Sequence, residues 1–146
     1  MSVWTKERPW IAVVGGCLLT AFAVADMLFL FGPSTPERFA SVGRAMGLGA
    51  LGGYGLLAIV VGCMAGLGVM GVRMIVEKRP ARSHIYAPVG SVVVLLGDPD
   101  HLLRNSGPNP LGYVLIVLAM SALLGLSLFW LQRLNKGPRA QELKDA

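Results

Sequence analysis

Residues 45–72 read AMGLGALGGYGLLAIVVGCMAGLGVMGV and carry no charge between Arg44 and Arg73. Those two arginines are 29 steps apart, which is about 43 Å of α-helix at about 1.5 Å per residue. That length matches a bilayer with its headgroups, about 40–45 Å. Each guanidinium could then snorkel into its own headgroup layer. The spacing predicts one long helix over 44–75, because two crossings do not fit in it.

The same stretch holds nine glycines between Gly47 and Gly71. Spacing by four sets up two ridges, Ala45-Gly49-Gly53 and Ala58-Gly62-Gly66. Small residues let helix backbones approach closely where lipid supplies no hydrophobic drive between helices. Ala12-Gly16-Thr20 and Ser121-Gly125 are weaker versions of the pattern. Two readings stand side by side: packing inside one small bundle, and packing against another subunit.

Working outward, Trp10–Gly32 is a second apolar run, long enough for a crossing helix over 10–32 that Pro33 and Pro36 would stop. Lys6, Arg8, Trp4 and Trp10 read as a basic flank with interfacial aromatic anchors. A secretory leader cleaved after Ala25 is the competing reading, but the apolar run continues from Met27 to Phe31. Leu111–Leu131 predicts a further helix over 111–132, with Tyr113 and Trp130 at its two interfaces. A basic polar tail, 133–146, follows, and its last residues, Gln141–Ala146, are expected to fray. Between Val76 and Pro110 lies an apolar segment, 84–97, too short for a standard span and followed by the turn signals Gly97-Asp98-Pro99-Asp100 and Asn105 to Pro110.

Lysine and arginine placement decides whether that segment inserts. With three crossings and the N-terminus inside, Lys6, Arg8, Arg73, Lys78, Arg79, Arg82 and Arg104 face the other six basic residues, which is no bias. With a fourth insertion, only Arg38, Arg44 and Arg104 remain outside and ten of the thirteen lie inside. Charge thus favours four membrane segments with both termini cytoplasmic, in an inner (plasma) membrane. Lys78, Arg79, Arg82, Arg133, Lys136 and Arg139 then form its cytoplasmic basic face. A short, broken insertion is tolerated where protein surrounds its backbone.

Composition agrees. The 146 residues are 54% hydrophobic and 14% charged, against about 25% charged in soluble domains, and mean hydropathy is +0.63. The fold class expected is an all-α integral membrane protein, a small bundle of three transmembrane helices with a short fourth inserted segment. The net charge of +5 is distributed around apolar runs and makes no continuous basic face for nucleic acid. Cys17 and Cys63 lie in apolar runs and read as packing residues.

Chemistry-bearing residues are few. Asp26 is the one charged side chain deep in an apolar run, so it is the candidate ion or proton contact; the plainer reading is a near-interfacial acid fixing helix contacts. His84 and His101 are weak metal candidates without neighbours at ligand spacing. No cofactor is expected; haem or chlorophyll on either histidine is the remaining alternative. Gly47-Leu48-Gly49-Ala50-Leu51-Gly52 matches a dinucleotide fingerprint by letters, but no strand precedes it. Phosphate-loop, zinc-protease, Cys-x-x-Cys and nucleophile-elbow patterns are missing. The expectation is a non-enzymatic subunit of a larger membrane assembly, partnered by lipid and by other subunits or copies of itself. The alternative is a pore-forming or ion-coupling component.

Overall fold

A computed structural model describes residues 9–30, 32–79 and 82–142, with backbone alone for 135–142. Among the described residues six helices follow one another: α1 Pro9–Leu30, α2 Thr35–Ala45, α3 Gly49–Glu77, α4 Ser83–Leu96, α5 Pro99–Asn105 and α6 Pro110–Glu142. Among the described residues there is no strand. Three helices, Pro9–Leu30, Gly49–Glu77 and Pro110–Leu134, are long and apolar enough to cross a membrane, as expected of an all-α integral membrane protein.

The helix expected over 44–75 is divided. Arg44 belongs to α2, and α3 starts only at Gly49. The break is a Schellman closure: Gly47 takes φ +77° while its N–H donates to the Arg44 carbonyl, and the Leu48 N–H donates to the Gly43 carbonyl. Gly49 is left-handed too, at φ +68°, so the chain reverses within three residues. A residue with a Cβ would be strained at either position. The arginine pair therefore does not mark the two ends of one helix.

Pro36 sits in the first turn of α2 with Glu37, and Arg44 in its last, charges that suit the helix dipole. Its apolar face buries Phe39 and Val42 against α3 and leaves Arg38 and Arg44 exposed. The turn signals after Gly97 also start a helix. Asp98 caps α5 by accepting the Asp100 N–H at 3.0 Å, with Pro99 in the first turn. Asn109 does the same for α6, accepting from Gly112 at 3.0 Å before Pro110. α6 runs through the basic part of the tail to Glu142, so Gln141 and Glu142 are helical, while the rest of the segment expected to fray, 143–146, lies outside the described residues.

The long helices are arranged by pairwise packing, α1 on α3, α3 on α4 and α4 on α6, with α2 also lying on α3. The core is where α2, α3, α4 and α5 meet, at Phe39, Val42, Val60, Met64, Val93, Leu96 and Leu102, all at most 2% exposed. α1 and α6 turn large apolar side chains outward, among them Leu18, Leu28, Phe29, Ile116 and Leu134. That surface suits lipid.

Register pairs fix the directions. Gly16 faces Gly71 and Ala23 faces Gly68, so α1 and α3 are antiparallel. His84 meets Gln132 and Ser91 meets Ser121, so α4 and α6 are antiparallel. Gly97, at the end of α4, lies beside Met64 of α3, which makes α3 and α6 run the same way. The α4–α5 segment returns the chain between them. α4 has 14 residues, about 21 Å of rise, and falls about 9 Å short of a hydrocarbon core of about 30 Å; α5 follows at a break.

Exposed Trp10 and Trp130 lie at the end of the bundle holding the helix termini at Pro9 and Glu142, and Tyr54 and Tyr113 lie toward the end holding α2 and α5. A directional test follows. In intact membrane vesicles, cysteines introduced at Asn105 and Leu134, in a background lacking Cys17 and Cys63, should react with a membrane-impermeant maleimide from opposite sides. Labelling of both from one side would contradict a crossing by α6.

Candidate functional site

Asp26 lies on α1 and lines a groove of about 230 Å³ with Phe22, Phe29, Met64, Val93 and Asp98. The groove is apolar except for the two carboxylates. Asp98 comes from the corner between α4 and α5, where its own helix-capping bond holds it. The break between α4 and α5 thus brings a second acid to the groove of the one conspicuous in the sequence. Among the described residues the ion pairs are Arg38–Asp100 and Arg73–Glu77, and neither includes Asp26 or Asp98. Asp98 is exposed and Asp26 half-buried, so the groove carries negative charge at its open side.

The packing residues divide into two groups. On α1, Gly16 touches α3 so closely that an added Cβ would stand 2.6 Å from the Gly71 carbonyl oxygen. Thr20 donates to the Gly16 carbonyl at 2.8 Å and also fills the space beside Gly71. At the other end of α3, Gly53 lies against the Phe39 carbonyl, and Gly43 of α2 lies against Gly53. A Cβ added at Gly125 of α6 would stand 3.1 Å from the His84 carbonyl oxygen and from Pro88 Cγ, tighter than an ordinary contact. These contacts are within the chain. Gly43 and Gly71 are functional packing residues that the four-residue spacing did not single out, because their partners lie on other helices.

Gly49, Gly62 and Gly66 are different. A Cβ at any of them would meet nothing within 4 Å, and Ala58 is exposed. Gly49 serves the turn before α3, so the expected Ala45-Gly49-Gly53 ridge reduces to Gly53. Ala58, Gly62 and Gly66, with Gly55, lie on the side of α3 opposite Gly53, Val60 and Met64.

Polar bonds join α4 to α6. Gln132 donates through Nε2 to Ser83 Oγ at 2.6 Å, which leaves its Oε1 facing His84 Nδ1 at 2.7 Å. The ring therefore carries its proton on Nδ1 in this arrangement. His84 also stacks edge-on against Phe129, and the Arg133 guanidinium lies 5.2 Å from the same ring's centroid. Midway along, Ser91 and Ser121 bond at 2.8 Å. His101 is elsewhere, exposed on α5 beside Asn105. Among the described residues no three metal-binding side chains gather.

Lys78, Arg79, Arg82 and Arg133 share the end of the bundle where α3 finishes and α4 begins. Lys78 closes α3 in a left-handed conformation, φ 52°. Lys6 and Arg8 lie outside the described residues, as do the side chains of Lys136 and Arg139.

Interhelical side-chain bonds in membranes contribute about 0.6–2 kcal/mol. Gln132→Leu removes both links at once and should lower the stability of the detergent-solubilised protein by about 1–2 kcal/mol, read from Trp130 fluorescence during denaturant unfolding. Unchanged unfolding would show that the links add nothing to the seam. Comparison with known protein families, with curated proteins and with solved structures gives no match for this chain.

Proposed function

We propose that this chain is a non-enzymatic, multi-pass subunit of a larger inner-membrane assembly, of the kind that serves secretion, conjugation, respiration or photosynthesis, with both termini cytoplasmic. The observation that carries the reading is the outward side of α3. Gly55, Ala58, Gly62 and Gly66 form a strip of small residues there, on a helix whose other sides already hold α1, α2 and α4. Surfaces facing only lipid have no use for close backbone approach, whereas a helix of another subunit or copy does. The cytoplasmic assignment rests on charge. The end holding α2 and α5 carries Arg38, Arg44 and Arg104, and the opposite end the larger basic group.

The second reading, an ion-coupling or pore-forming component, is favoured by one observation: Asp26 and Asp98 share a groove. Proton or cation flux through proteoliposomes would then depend on Asp26.

Two variants separate the readings. Gly62→Leu should leave helix content and monomer unfolding unchanged, since the site is open, yet abolish membrane chains or self-association retained with wild type in mild detergent. Asp26→Asn should leave that retention intact. Retention unaffected by Gly62→Leu would defeat the assembly reading, and loss of ion flux in Asp26→Asn would establish the second.

A further inference from the structure

A polar groove of about 550 Å³ lies beside α2, lined by Ser34, Glu37, Arg38, Ser41, Arg44 and Tyr54. An apolar groove of about 320 Å³ lies where α1 leads into α2, lined by Leu30, Pro33, Pro36, Leu57 and Val61. The two share the start of α2 and one side of α3, because Tyr54, Leu57 and Val61 follow at i, i+3 and i+7. We propose that together they bind an anionic phospholipid, its phosphate headgroup between Arg38 and Arg44 and an acyl chain along Leu57 and Val61.

Charge and location both support this occupant. Two guanidiniums face one carboxylate, Glu37, in the polar groove. Arg38 is engaged with Asp100 at 3.3 Å, but both side chains are about half exposed, and such a pair exchanges readily for another anion. Arg44 has no carboxylate partner among the described residues. It reaches back along α2, its Nη2 donating to Ser41 Oγ at 3.4 Å, toward the side where Arg38 stands. Most of its five N–H donors stay available, in the fork geometry that suits a phosphate.

α2 joins two helices long and apolar enough to cross the membrane, and it is itself amphipathic, with Phe39 and Val42 inward and Arg38 and Arg44 outward. That places the arginines at headgroup depth. Tyr54, 46% exposed, stands at the rim as an interfacial aromatic does. A free phosphate would use only the polar half; a lipid uses both.

Native mass spectrometry of the full chain released from non-ionic detergent tests the site. Dioleoyl phosphatidylglycerol, dioleoyl phosphatidylcholine, dihexanoyl phosphatidylglycerol and glycerol phosphate are the probes. Long-chain phosphatidylglycerol should be retained in preference to the other three. Arg38→Gln and Arg44→Gln should each weaken it about fivefold, the effect of one basic charge near an anionic headgroup. Glu37→Gln should strengthen it, and Arg73→Gln, at the opposite end and paired with Glu77, should leave it unchanged. Equal retention of phosphatidylcholine, or no loss in the Arg38→Gln/Arg44→Gln double variant, would overturn the proposal. Displacement by glycerol phosphate at matched concentration would overturn it in favour of a free-phosphate site.

Discussion

The fold depends on backbone-to-backbone contact between α3 and two of its neighbours, α1 and α2. At one end Gly16 and Gly71 meet, and at the other Gly43 and Gly53. In lipid, burying a leucine against another helix gains little over leaving it in acyl chains, so dispersion at short range must hold helices together. Glycine permits that range. α1 and α2 dock on successive parts of α3 through the same device, and this lets α3, with 29 residues, serve as the common partner of a short interfacial helix and a full crossing.

That division of α3 has a consequence for the fourth segment. With α2 and α5 filling one end of the bundle, α4 needs to reach only the level of Met64. Its break at Gly97 leaves backbone groups that lipid could not satisfy. They are met within the protein: Gly97 N–H donates to Val93, and the Asp98 side chain takes over the capping of α5. The polar links to α6, at Ser91–Ser121 and His84–Gln132–Ser83, hold the short helix where its length alone would not. The same break brings Asp98 to the groove that Asp26 lines.

Much of this was legible in the residues. The three long apolar helices, the short apolar fourth segment and the need for close glycine packing all follow from run length and spacing. Lysine and arginine bias preferred a chain that turns back between the second and third long helices, and α3 and α6 do run the same way. What was missed was punctuation. Arg44-Ala-Met-Gly47-Leu-Gly49 is a basic last turn followed by a left-handed glycine, a helix ending hidden inside an uninterrupted apolar run. Asp98-Pro99 and Asn109-Pro110 read equally well as turns or as caps with proline in the first helical turn, and only the packing of Leu102 and Val114 selects the second. Contacts between helices, such as Gly43 with Gly53, leave no periodic trace within either one.

The glycines of α3 then separate by what they accomplish. Gly53 and Gly71 face neighbours that would clash with any side chain; Gly55, Gly62 and Gly66 face none within the chain. Glycine in an exposed helix costs about 1 kcal/mol relative to alanine through lost backbone freedom, and for these three nothing inside the chain offsets it. Alanine would keep the surface apolar and strengthen the helix. In the proposed assembly this loss would be offset by another helix backbone approaching nearer than a Cβ allows. The outward glycines would then repeat, on the opposite side of α3, the chemistry that holds α1 and α2 in place.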